Sequence, residues 1–149
     1  PASLAPFSAR CAYAARWLRH PRLVLSRFEH RHGLQYTADT LASLRTRYPQ
    51  HRFVWLMGSD NLDSFHHWDG WLNIVAEAPI GIIDRAPFTH RALRQRFAVR
   101  FARHQVEAPK LALASPPAWS FLFIRRHPQS ATQLRKTLGL AAYFGHNET

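Results

Sequence analysis

The sequence predicts an α/β fold built on a parallel sheet, and two observations carry that expectation. Short continuous apolar runs, ending in small or charged residues, alternate with stretches of helical periodicity, which is the pattern of βαβ units. The chain has 149 residues, 46% of them hydrophobic and 13% aromatic. That suffices for one domain, residues 1–149, with a real core, and it argues against disorder.

The elements follow in order. Ser8–Leu18 is Ala-rich and reads as a helix. Arg22-Leu23-Val24-Leu25-Ser26 reads as a short strand. Thr37 opens a helix that runs to about Tyr48, where Pro49 stops it. Leu41, Leu44 and Tyr48 share one face of that helix. Phe53–Met57 is apolar throughout and ends at Gly58, the signature of a strand buried on both faces. Ser59 or Asp60 caps a short helix toward Phe65, and a second helix runs from about Asp69 to Glu77. Pro79–Asp84 is another apolar strand. Thr89 caps a basic helix through about Arg103. Gln105–Pro117 is Pro- and Ala-rich and gives the weakest signal. Ser120–Ile124 is the last strand, and Ser130–Leu138 a final helix closed by Gly139.

Composition narrows the function classes. Cys11 is the only cysteine, so no internal disulfide framework exists, and a reducing compartment, the cytoplasm, is expected. No apolar run reaches the roughly 18 residues of a membrane helix, and no signal-peptide pattern opens the chain. The net charge is +11 and, apart from Lys110 and Lys136, its cations are arginines. Arginine forks bind phosphates. A basic excess suggests a phosphorylated partner, nucleic acid or nucleotide, but these arginines are spread rather than blocked, so most of the charge reads as solvated surface; no nucleic acid is expected as a partner.

Ligands of parallel sheets bind beyond the carboxyl ends of the strands. There the sequence places Gly58-Ser59-Asp60-Asn61, then Asp84-Arg85, then Arg125-Arg126-His127 with Ser130-Ala131-Thr132. Gly58 admits a close backbone approach, and Asp60 can accept from ribose hydroxyls. Ser130, Thr132 and Arg135 gather hydroxyls, amides and a cation at a helix N-terminus, a site for phosphate. Each feature has a plainer explanation as a turn or a cap. Thr37 reads as a plain N-cap or as a hold for a carboxylate, and Trp68 as core or as a stacking ring.

Taken together and in order, Tyr36–Leu41 (YTADTL), Phe53–Trp71 (FVWLMGSDNLDSFHHWDGW), Pro79–Arg85 (PIGIIDR) and His127–Arg135 (HPQSATQLR) resemble bacterial nicotinate-nucleotide adenylyltransferases. The resemblance implies a Rossmann-like, doubly wound parallel sheet. It also implies transfer of AMP from ATP, accompanied by Mg²⁺, to nicotinate mononucleotide. Carried over by position, Thr37, Trp68 and Arg85 bind the mononucleotide. Gly58 and Asp60 lie on the adenosine side, and Ser130, Thr132 and Arg135 at the ATP phosphates. Ala131 stands where the family motif has a serine.

The family also opens with a strand and an HxGH turn whose histidines act on the ATP phosphates. This sequence contains no such motif, and His30-Arg31-His32 does not replace it. The expectation is therefore a chain with an incomplete sheet, no catalytic histidines of its own, little activity and reduced stability. A non-catalytic nucleotide-binding remnant, or a sister nucleotidyltransferase with another phosphorylated acceptor, remains open.

Overall fold

The computed structural model describes residues 6–85 and 94–124. The expected Thr89 cap and the whole Arg125–Gly139 region, with Ser130, Thr132 and Arg135, lie outside them. The chain divides into two compact units, Pro1–Phe28 with His127–Thr149, and Glu29–Arg126.

In the first unit, α1 (Phe7–Trp17) forms on the Ala-rich stretch. Tyr13 and Trp17, four apart on one face, bring their rings to 6.2 Å. Cys11 is buried and its thiol is free. The strand expected at Arg22–Ser26 does not form. His20 takes its amides locally: the Leu23 N–H donates to the His20 carbonyl at 2.9 Å, and the Arg22 N–H to His20 Nδ1 at 3.2 Å. Amides held in a turn are not available to a ladder, and Leu23 and Val24 are left exposed.

A single turn, α2 (Phe28–His32), precedes α3 (Thr37–Arg47). Tyr48 closes α3, its N–H bonded to the Leu44 carbonyl at 2.8 Å, one residue before Pro49. Of the expected apolar face, Leu41 is buried but Tyr48 is exposed. The sheet is three parallel strands in the order β1 (Trp55–Gly58), β2 (Ile80–Ile83), β3 (Trp119–Leu122). Trp55 pairs with Ile80 and Ile80 with Trp119; Gly58 pairs with Ile83 and Ile83 with Leu122. This parallel sheet with its helices bears out the α/β expectation.

Strand alternation puts Met57, Ile80, Ile82, Trp119 and Phe121 on one face, where they are buried with Phe65, Ile74 and Phe97. Leu56, Gly81 and Leu122 lie on the other. The expectation that the Phe53–Met57 strand is buried on both faces is corrected here, because Leu56 is 54% exposed. An apolar run carries no record of which face has a neighbour. Over that second face, Leu111 approaches Gly81, where an added Cβ would meet Leu56, Leu122 and Leu111.

Between β1 and β2 the chain makes two 3-10 turns, Ser59–Asp63 and Phe65–His67, and then α4 (Trp71–Glu77). The helix begins at Trp71 rather than Asp69 because Gly70 adopts a left-handed φ of 64°, which ends any helix passing through it. Gly70 also lets α3 approach: a Cβ there would sit 2.9 Å from that of Ala38. After β2, α5 (Arg96–Arg100) buries Phe97 and Ala98. The weakly signalled Gln105–Pro117 stretch holds the 3-10 helix Ala108–Leu113, and just before that helix the Val106 N–H joins the Trp119 carbonyl at 2.8 Å.

Candidate functional site

The carboxyl ends of β1 and β2 lie side by side, which makes the residues that follow them neighbours. Gly58 is the last residue of β1. A Cβ on it would collide with Asp60 Oδ1 and come within 2.9 Å of Arg85 Cδ and Nε. The glycine thus makes room for two opposite charges above the strand end. Arg85 Nη1 donates to Asp60 Oδ2 at 3.3 Å. The other carboxylate oxygen, Oδ1, is buried and has no hydrogen-bond partner among the described residues. A buried acceptor in that state is costly and suits a donor from outside the chain.

The sequence offers Ser59 or Asp60 as the cap of a short helix. Neither caps it: Gly58 holds the cap position, with no side-chain cap bond. The Ser59 hydroxyl is instead bonded to the backbone of Arg85, accepting its N–H at 2.9 Å and donating to its carbonyl at 3.2 Å. Sequence reasoning missed this use of Ser59. Adjacent parallel strands bring the residues after their carboxyl ends together, so a hydroxyl directly after one strand was the available signal.

Thr37 and Trp68 meet the fold differently. Tyr36 occupies the N-cap position of α3, and Thr37 is its first helical residue, so the expectation that Thr37 caps is corrected by one position. Its backbone N–H is still among those a helix start leaves without an intrahelical partner. Trp68 directly follows the Phe65–His67 turn and is half-buried. Its ring meets Phe65 and Trp55 edge-on, both at 5.8 Å, within the ring cluster around Phe65. The Ala38–Gly70 approach sets the start of α3 beside the turn that carries Trp68. The structure therefore brings Gly58, Asp60 and Arg85 together as one group, and the neighbourhoods of Thr37 and Trp68 as another.

His66, two residues before Trp68, leaves its Nδ1 buried and without a hydrogen-bond partner among the described residues. Burial holds its pKa below the ordinary histidine value, and the nearby charges of His67 and Arg96 push the same way. Among the described residues no group of three or more His, Cys, Asp or Glu is placed to hold a metal ion. No helix there is long and apolar enough to cross a membrane.

A cavity of about 330 Å³ lies at the opposite, amino edge of the sheet, lined among others by Arg45, Tyr48, Arg52, Phe53, Glu77 and Pro79. Among the described residues, none of those singled out from the sequence as binding residues lines it.

No family model matches the chain. A probable nicotinate-nucleotide adenylyltransferase of Cereibacter sphaeroides is 47% identical over 133 residues, covering 89% of this chain and 72% of that protein. Proteins of the same description from Ruegeria and Brucella abortus are 41% and 42% identical, over 71% and 70% of their lengths. Among solved structures, the chain superposes on Plasmodium falciparum nicotinic acid mononucleotide adenylyltransferase with a TM-score of 0.61. That match has 19% identity and covers 91% of this chain and 63% of the other, a likeness of fold.

Proposed function

Because the chain belongs to the nicotinate-nucleotide adenylyltransferase family, we propose that it binds nicotinate mononucleotide and Mg²⁺-ATP for adenylyl transfer. In that reaction a phosphate oxygen of the mononucleotide attacks the α-phosphorus of ATP. The bond between that phosphorus and the bridging oxygen to the β-phosphate breaks. Pyrophosphate leaves, and nicotinate adenine dinucleotide forms. The Mg²⁺ arrives with the nucleotide, as part of the substrate. The residues of this chain bind and orient, and positioning with charge neutralisation supplies rate in such transfers.

The observation that carries the reading is the contact of Gly58, Asp60 and Arg85 where two parallel strands end. Arg85 stands beside the mononucleotide. Asp60 accepts from ribose on the adenosine side, where Gly58 lets the ligand close on the backbone. Trp68 stacks on the nicotinate ring, and the start of α3 at Thr37 offers backbone N–H groups to its carboxylate. Ser130, Thr132 and Arg135 take the ATP phosphates. A cytoplasmic location is supported by the single cysteine.

Calorimetric titration with nicotinate mononucleotide, then with Mg²⁺-ATP, tests this reading. Saturable binding of the mononucleotide is expected, weakened about tenfold in Trp68→Ala by the loss of stacking. A folded chain that binds neither ligand overturns the reading, and equal binding by Trp68→Ala removes the role of that ring.

A further inference from the structure

We propose that Ser59 is a positioning residue. Its hydroxyl fixes the Arg85 backbone, and through it sets where the guanidinium meets the mononucleotide. The inference rests on the reading of Arg85 given above. Ser59 is 2% exposed, and a hydroxyl that deep is held only where its hydrogen bonds are made. Both of its bonds go to one residue: it accepts from the Arg85 N–H at 2.9 Å and donates to the Arg85 carbonyl at 3.2 Å.

The place of that contact gives it meaning. The β1–β2 pairing ends at Gly58 and Ile83. The Asp84 N–H still joins the sheet, at 3.0 Å from the Leu122 carbonyl. Arg85 is the next residue, and β1 has by then turned away into the Ser59–Asp63 turn. The serine hydroxyl takes the place of the missing ladder partner and ties the loop after β1 to the loop after β2. The Arg85 side chain is long and 60% exposed, and its ion pair with Asp60 is of the exposed kind that fixes little. The backbone clamp therefore does what the ion pair cannot: it sets the point from which the guanidinium reaches over Gly58. The three-stranded pairing is complete without it, so losing the hydroxyl should disturb the site more than the sheet.

A double-mutant cycle of Ser59→Ala and Arg85→Ala tests this, read by calorimetric titration with nicotinate mononucleotide and by hydrogen exchange at the Arg85 amide. Ser59→Ala is expected to weaken binding about fivefold and to unprotect the Arg85 amide while Ile82 and Ile83 stay protected. In the Arg85→Ala background the same change is expected to have no further effect on binding. Ser59→Cys, of similar size with weaker hydrogen bonds, should fall between, and it carries the cycle if Ser59→Ala does not fold. An equal loss from Ser59→Ala with and without Arg85 overturns the proposal, as does an unchanged affinity once the amide has lost protection. If Arg85→Ala alone leaves the affinity unchanged, the reading of Arg85 itself fails; that result is distinct from a failure of the clamp.

Discussion

At the carboxyl edge of the sheet, Gly58, Ser59, Asp60 and Arg85 crowd into one contact. At the amino edge, Phe53 and Pro79 frame a cavity of about 330 Å³. A cavity invites a ligand, and the polar groups of this one say otherwise. Arg45 is paired with Glu77 at 3.1 Å, and Arg52 donates to the Leu113 carbonyl at 3.3 Å. The cavity also faces the last turns of α3 and α4, through Arg45 and Glu77. Helix carboxyl ends carry partial negative charge and disfavour an anion. The amino edge has satisfied its charges internally. The carboxyl edge leaves Asp60 Oδ1 buried without a partner among the described residues and holds a cation next to it. Among the described residues, unmet hydrogen-bonding capacity separates the two.

The largest expected effect exploits that contrast directly. Arg85→Ala should weaken binding of nicotinate mononucleotide about 10- to 100-fold, the range for a hydrogen bond to a charged group. Arg52→Ala, an equal loss of charge at the other edge, should leave it within about twofold. Titration of the two variants side by side checks this, and equal losses would mean that net charge, not place, holds the ligand.

Gly58→Ala comes next. The new methyl must displace Asp60 Oδ1 and the Arg85 side chain. Both can swing away, so the stability cost should sit at the low end of overpacking, about 1 kcal/mol, while mononucleotide affinity falls about tenfold. Thermal melts beside the titration decide it. A melting loss as large as that of a core cavity would make the close approach structural.

The sequence reveals the carboxyl edge better than it reveals the sheet around it. Gly58, Asp60 and Arg85 could be found because a strand end is marked locally, by an apolar run stopping at a small or charged residue. The helix starts at Thr37 and Trp71 were legible to within two residues, and the second was displaced by the left-handed Gly70. What stayed hidden depends on partners far along the chain. Arg22–Ser26 has the composition of a strand, and its first two amides, of Arg22 and Leu23, go to His20 instead. The exposure of Leu56 depends on what covers the second face, which an apolar run does not encode. Ser59 looked like a cap because its true partner, Arg85, is 26 residues away.

Smaller effects sharpen the amino edge. Glu77→Gln breaks an ion pair in which Arg45 is 55% and Glu77 28% exposed. Pairs of this kind contribute about 0–1 kcal/mol, less at high salt. Denaturation should show a loss within that range, with mononucleotide affinity unchanged. A fall in affinity would connect the cavity to the site and break the contrast.

The smallest effect is the pH dependence of His66, in the turn that leads from the carboxyl edge to Trp68. Its folded pKa lies below the ordinary value of 6.5, first through burial and then through His67 and Arg96. The sign follows from which state takes the proton first. As pH falls through about 6.5 the unfolded chain is protonated while folded His66 resists, so folding stability is lost. The loss continues down to the folded pKa and then levels off; well above 6.5 this histidine contributes no pH dependence. The chain holds nine other histidines, so the measurement is a difference. His66→Asn should show a smaller drop in melting temperature between pH 8 and pH 5 than the wild-type chain. Parallel pH profiles for the two would show that His66 meets its proton equally in both states, and that the turn before Trp68 is insensitive to charge.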